Sequence, residues 1–321
     1  MFTHSVVVPD ETIVAGSSPS YDLPVSPLSH VLLTVKFCQN LANDIMVFAN
    51  VAAMLDKVEV LYKGSGVVSM NGLDLLACGL MVCDFESWGL NALGVDSEER
   101  SMTFLVPFGR QLYSPVECYP SQSRGELVIQ VTWAASFTEI DTGRLQMEAV
   151  ELPDAHPERF LKMTTSHVTL SGTTEQDVEL PIGNQISDIV LWGTTIPAGV
   201  ATTRTLANMQ IRKNNSEFMY SRSNFETLHN MAGRLRAAPG YWASHVHRLT
   251  AAAFAQWDDT SPVIPENHIL SNHLLVPFDV RRDGVHILRT DDANDLSIRV
   301  KPDVAAAIRV IPCEVVAVGA R

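Results

Sequence analysis

The sequence predicts an all-β protein with short helices, built from two tandem copies of one β-sandwich module. Three observations carry that expectation. Four sequence blocks recur in the same order, at offsets between 151 and 170 residues. The blocks are short, β-branched and bounded by Gly, Pro or Asn turns, as strands are. Each copy then places one helical stretch after its hairpin. With 321 residues the chain has room for about two domains of roughly 150 residues. Hydrophobic residues make up 46% and charged residues 18%, against about a quarter charged in an average chain, so a packed core is expected rather than disorder.

Residues 1–20 read as an extended N-terminal arm, with Pro9 and Gly16-Ser17-Ser18-Pro19 and little to bury. The first module spans 21–153, a linker 154–165 and the second module 166–321. Leu23-Pro24-Val25 leading to Leu28-Ser29-His30-Val31-Leu32-Leu33 returns as Leu180-Pro181-Ile182 and Ile186-Ser187-Asp188-Ile189-Val190-Leu191. The offset is 157 residues for the triplet and 158 for the strand. Val58-Glu59-Val60 before a Lys63-Gly64-Ser65-Gly66 turn returns as Met209-Gln210-Ile211 before Asn214-Asn215, each the start of a hairpin whose return strands are Val67-Val68 and Phe218-Met219-Tyr220. Leu105-Val106-Pro107-Phe108 recurs identically as Leu275-Val276-Pro277-Phe278, and its prolines belong at a strand end. Gly125 to Val131 parallels Asn294 to Val300. Further strands are expected at Ser29–Phe37, Glu126–Trp133 and His167–Leu170, with tight turns at Asp141-Thr142-Gly143 and Arg282-Asp283-Gly284. Leu152 to Pro157, with two prolines, marks the junction.

One helix follows each hairpin. In the first copy Asn71 caps it, Asp74 suits its positive end, and Leu73, Leu76 and Leu80 form its apolar stripe. In the second, Ser223 and Glu226 make a capping box, and Phe225, Leu228, Met231, Ala232 and Leu235 follow until Pro239-Gly240. Leu41 to Leu55 fits helix or strand. Many short strands in modules of this size point to a sandwich or jelly roll.

No residue stands out as catalytic, cofactor-binding or metal-ligating. His245-Val246-His247 puts two imidazoles on one strand face, but no Glu follows at cupin spacing and the first copy has no such pair. Asp291-Asp292-Ala293-Asn294-Asp295 is acidic without the alternating ligands, Gly and terminal Glu of a calcium loop; it and Asp258-Asp259 read as solvated turns, with a structural calcium at a subunit contact left open and no cofactor expected. Gly64-Ser65-Gly66 lacks the spacing of a nucleotide-binding loop. Asn214-Asn215-Ser216 matches a glycosylation acceptor, a pattern of low specificity. The five cysteines show no CxxC spacing and read as buried apolar residues. No apolar run is long enough to span a bilayer, and the N-terminus lacks the form of a signal peptide. A formal net charge of -13 and no Lys or Arg before Lys36 argue against condensation of a nucleic acid.

The duplicated module, with its Leu-Pro-apolar entry, hairpin and capped helix, resembles the double jelly-roll major capsid proteins of icosahedral viruses and bacteriophages, many of which enclose a membrane. The resemblance runs from about Leu23 to Val318 and lies in architecture and cadence rather than in one diagnostic motif. It implies a non-enzymatic virion protein, made in the host cytoplasm. Three chains would form a homotrimer whose six jelly rolls make a pseudo-hexagonal capsomer. Its partners would be neighbouring capsomers, penton or minor capsid proteins, and an internal membrane or its proteins. Two other classes stay open on the residues themselves: a cupin-like or carbohydrate-active enzyme, and a lectin-like binding protein using Tyr241, Trp242 and Trp257.

Overall fold

A computed structural model describes residues 1–39, 48–87, 89–90, 99–138, 140–195, 203–235, 270 and 272–319. The chain divides into two compact units, the first built mainly from Met1–Lys162 and the second from Met163–Pro239 and Ser271–Val316.

In the first unit the elements are β1 (Thr3–Thr12), β2 (Ser20–Asp22), β3 (Leu28–Gln39), α1 (Phe48–Met54), β4 (Leu55–Tyr62), β5 (Ser65–Met70), α2 (Gly72–Cys83), β6 (Gly89–Leu90), β7 (Glu99–Pro107), β8 (Leu127–Trp133), β9 (Ile140–Glu151) and β10 (Arg159–Thr164), in which the units divide. One sheet runs β1-β9-β3-β7-β6, and β10-β5-β4-β8-β2 run side by side in the other. Consecutive strands therefore cross repeatedly between two antiparallel sheets, which is the wrapping of a jelly roll. Strand β8 alternates buried and half-buried residues along its whole length, as a strand with one face on a core must.

The second unit holds β11 (Ser166–Thr169), β12 (Gln176–Glu179), β13 (Gln185–Gly193), β14 (Asn208–Lys213), β15 (Ser216–Glu217), β16 (Ser223–Asn224), α3 (Phe225–Leu235), β17 (His273–Pro277), β18 (Leu296–Lys301) and β19 (Ala307–Ala317). Here β17-β13-β19 carry β11 on β19, and β12-β18-β14-β15 form the facing sheet. Ile189, Leu191, Ile211, Val276, Ile298 and Val310 are among the residues of the core between them.

The duplication extends to cross-strand register. His30 faces Pro107 as Asp188 faces Pro277. Val60 faces Ile129 as Ile211 faces Ile298, and Tyr21 faces Ile129 as Val178 faces Ile298. Leu28–Glu151 followed by His30–Val150 leaves Ser29 as the extra residue of a β-bulge; Ile186–Glu314 followed by Asp188–Cys313 leaves Ser187 as the same bulge. Into these bulges the repeated strand ends are tied identically, Phe108 N donating to Ser29 O at 3.0 Å and Phe278 N to Ser187 O at 2.9 Å. Both hairpins close through two residues at positive φ, Lys63-Gly64 and Asn214-Asn215, the backbone of a type I′ turn. Pro107 and Pro277 end their strands, as expected.

Several expectations change. The extended N-terminal stretch is not free, because Thr3–Thr12 pairs with β9 in the same chain, as β11 pairs with β19. Asp141-Thr142-Gly143 is not a turn but part of β9; a Cβ on Gly143 would lie 2.9 Å from Met54 Cε and 3.1 Å from Ile13 Cδ1, so a glycine there lets these side chains pack on the strand. The second hairpin's return strand stops at Glu217, since Met219 takes a positive φ that breaks the ladder. Helix α3 is capped by Asn224, whose Oδ1 accepts Thr227 N at 3.0 Å. Ser223 is instead held in the ladder opposite Met209, and Glu226 pairs with Arg204. Asn71 caps α2 as expected, accepting Asp74 N at 2.8 Å, yet the helix is buried nearly all round rather than along a stripe, with Leu73 only half-buried. Of the ambiguous segment, residues 48–54 are helical and 55 onward strand.

Candidate functional site

Strand pairing brings the β2–β3 loop, the β4–β5 turn, the β7–β8 loop, the start of β1 and the end of β9 to one end of the first unit. The second unit has the same arrangement around 180–184, 214–215 and 278–295. Most exposed large apolar side chains lie at these turn ends. In the first unit they are Met1, Phe2, Val25, Tyr113 and Val116, and in the second Ile182, Phe218, Met219, Val280 and Val285, with Val318 just past the end of β19; among the described residues Val6 and Val14 lie elsewhere. Val25 and Ile182 are the third residues of the repeated Leu-Pro-apolar triplet, 46% and 51% exposed. That both copies spend an apolar residue on solvent at the same place is what a contact surface requires.

The β7–β8 loop of the first unit is rigidly built. Arg110 is buried and encloses the Glu117 carboxylate, with Nε to Oε1 and Nη2 to Oε2 both 2.8 Å and the backbone N to Oε1 2.7 Å. Arg159 adds Nε to Oε2 at 3.1 Å. Burial pushes the Glu117 carboxyl up, but the hydrogen bonds and charge of Arg110, with Arg159, hold it below its ordinary value. Gly109 passes so close that a Cβ would lie 2.1 Å from Glu117 O. Tyr113 sits at positive φ, its N–H donating to Ser29 Oγ at 2.8 Å. Its ring meets His30 edge-on at 5.1 Å and Phe2 at 5.2 Å, and its hydroxyl lies 3.4 Å from His4 Nε2. His4 in turn approaches Glu148 at 3.7 Å. Burial, with the charge of His4, lowers the His30 pKa to about 4.

The acidic turn 291–295 is occupied by the protein itself. Asp292 pairs with Lys213 at 2.5 Å, which holds its carboxyl below the ordinary range. Asn294 and Asp295 donate their N–H groups to Asn214 Oδ1 at 2.8 and 3.3 Å. Asn214 is thus a clamp between two turns. Gly64 forms its hairpin turn with Lys63, and Ser65-Gly66 begin β5. His245, His247, Asp258, Asp259, Tyr241, Trp242 and Trp257 lie outside the described residues. Among the described residues no three His, Cys, Asp or Glu side chains converge to hold a metal. Cys78, Cys83, Cys118 and Cys313 are buried and Cys38 half-buried; burial, then Glu117, pushes the Cys118 thiol up to about 11, away from reactivity at neutral pH. Among the described residues no helix is long and apolar enough to cross a membrane.

Sequence reasoning missed Arg110, Glu117 and Tyr113, which sit in a loop without periodicity. The available signal was the identical Phe108 and Phe278, which open corresponding loops in both copies.

These two units, each of two antiparallel sheets, define a double jelly roll. The chain is similar over 100% of both lengths to the STIV major capsid protein, from Sulfolobus turreted icosahedral virus, at 8% identity and a TM-score of 0.69. It is similar to the major capsid protein P2 of bacteriophage PM2 at 10% identity, covering 100% of this chain and 99% of that one with a TM-score of 0.60, and to the capsid protein of the PBCV-1 virus at 8%, 98%, 93% and 0.62. No family model and no curated protein sequence matches.

Proposed function

We propose that this chain is the major capsid protein of an icosahedral virion, a structural and non-enzymatic component of the shell. The observation that carries this reading is end-to-end similarity to capsid proteins of both jelly rolls together, in a chain whose two modules share one register. Two covalently joined, nearly equivalent sandwiches make a tile. Three such tiles close into a homotrimer with a pseudo-hexagonal outline through heterologous contacts. The modules 21–153 and 166–321, joined through 154–165, are the two halves of that tile. Neighbouring capsomers, penton and minor capsid proteins are its further partners, and synthesis takes place in the host cytoplasm. The apolar turn ends around Val25 and Tyr113, and around Ile182 and Val285, support contacts with the layer beneath the shell, where a membrane or its proteins would lie. The deciding experiment is the solution mass of the purified chain by light scattering, with negative-stain images of the same peak. A trimer with a hexagonal outline is expected; a monomer at every salt and protein concentration overturns the proposal.

A further inference from the structure

In the first unit His4 of β1 and His30 of β3 stand in one row of the sheet, both opposite Val150 of β9. Residues opposite one another share a face, so both imidazoles lie on the side away from the core residues Val31 and Leu33. Two strand spacings, about 10 Å, separate their backbones. Tyr113 spans that gap. Its ring meets His30 edge-on at 5.1 Å, and its hydroxyl lies 3.4 Å from His4 Nε2. Phe2 joins them, 5.2 Å from the Tyr113 ring and 5.8 Å from that of His4. Tyr113 keeps a backbone φ of +63°, a conformation that a bulky residue holds only while its contacts impose it.

The hydrogen bonds around His30 assign its proton. Ser29 is buried and its Oγ accepts Tyr113 N–H at 2.8 Å, so the arrangement that leaves no buried hydrogen unused has the Ser29 hydroxyl donating to His30 Nδ1 at 2.9 Å. A proton on Nδ1 reverses that bond and strands the hydroxyl that positions Tyr113. His4 differs, because Glu148 Oε2 lies 3.7 Å from its Nδ1 and balances a charge there. Nothing balances a charge on His30 among the described residues; burial and then the charge of His4 oppose it. The other charged groups at this end are engaged. Glu148 Oε1 accepts Gln146 Nε2 at 2.6 Å, Glu151 accepts Ser5 Oγ, Asp154 holds the Met1 ammonium at 3.1 Å, and Glu117 is enclosed by Arg110 and Arg159. We propose that the start of β1 is an acid-released latch: protonation of His30 frees Tyr113, and Phe2 and His4 then leave β9 while the rest of the sheet stays folded. The pairing favours so limited an opening. Strand β1 shifts register after Val6 and again after Val8, whereas β3 is paired on both sides. The latched form excludes the proton and the open form takes it. Latching is therefore complete above the ordinary histidine value of 6.5 and is lost as pH falls toward about 4.

The test is amide hydrogen exchange of the full chain from pH 7 to 4, read by mass spectrometry and corrected for the intrinsic rate. Peptides covering residues 1–6 are expected to lose protection by about tenfold per pH unit below 6.5, as uptake of one proton requires, while peptides of β3 and β7 keep theirs. His30→Gln should hold residues 1–6 protected at pH 4. NMR titration of His30 in the native chain, which needs no variant to fold, should show the imidazole charging over the range in which that protection is lost. Protection of residues 1–6 that ignores pH, loss in step with β3 and β7, the same loss in His30→Gln, or a His30 titration outside that range each overturns the proposal.

Discussion

Arg110 and Glu117, seven residues apart, are joined by three hydrogen bonds of 2.7–2.8 Å with both side chains buried. A buried pair of this kind adds little net stability, because both charges have left water, yet removing one partner strands the other. Glu117→Gln is therefore expected to destabilise the first unit by about 3–5 kcal/mol, whereas the double change Arg110→Met with Glu117→Met costs less than the single one. Urea unfolding of the three proteins checks this, and a double variant as unstable as the single would count against it.

Acid should act on the same unit in two windows. The folded His30 pKa of about 4 lies below its ordinary 6.5, so unfolded chains bind the proton first. The stability from neutral His30 is complete above pH 6.5 and is lost as pH falls toward 4, by about 3 kcal/mol at most. Glu117, held below its ordinary 4.5, contributes stability above that pH that is lost only as pH falls through its lower folded value. Unfolding free energies measured from pH 7 to 4 should slope less for His30→Gln than for the native chain, the remaining slope including that of His229, whose burial also lowers its pKa.

Two glycines separate conformational from steric demands. At Gly64, φ is +82° and open space surrounds the missing Cβ, so Gly64→Ala should cost only the left-handed backbone penalty of about 1 kcal/mol. At Gly109 the added Cβ would meet Glu117 O at 2.1 Å, and the loop carrying the buried pair would have to move. Thermal melts should show a small shift for the first and loss of cooperative folding, or a far larger shift, for the second.

Val25 and Ile182 offer a test of the turn ends. Since both are exposed, Val25→Asp with Ile182→Asp should leave unfolding within about 0.5 kcal/mol per site. Contact with the layer beneath the shell should weaken, read as reduced flotation with lipid vesicles if that layer is a membrane. Unchanged flotation of a protein that binds vesicles would remove these residues from the contact.

The recurrence of Leu-Val-Pro-Phe was legible in the residues because both copies place the same side chains in the same buried strand end. The hairpins were legible because a turn of two residues leaves its mark locally, and Asn71 was readable as a cap for the same reason. Strand β1 was not: Val6-Val7-Val8 before Pro9 has no alternation, and only the free edge of β9 makes it a strand. Gly143, read as a turn residue, lies in β9 because side chains of Ile13 and Met54, distant in sequence, pack against it.

The amino-acid pattern by itself determined the β class, the duplication and the hairpins, since these depend on propensity and on contacts among near neighbours. Tertiary structure alone decided that Ser29 and Ser187 are matching bulges, that Arg110 meets Glu117, and that Tyr113 spans His4 and His30. Those relationships depend on which distant strands pair and in which register, and register is a property of the assembled sheets.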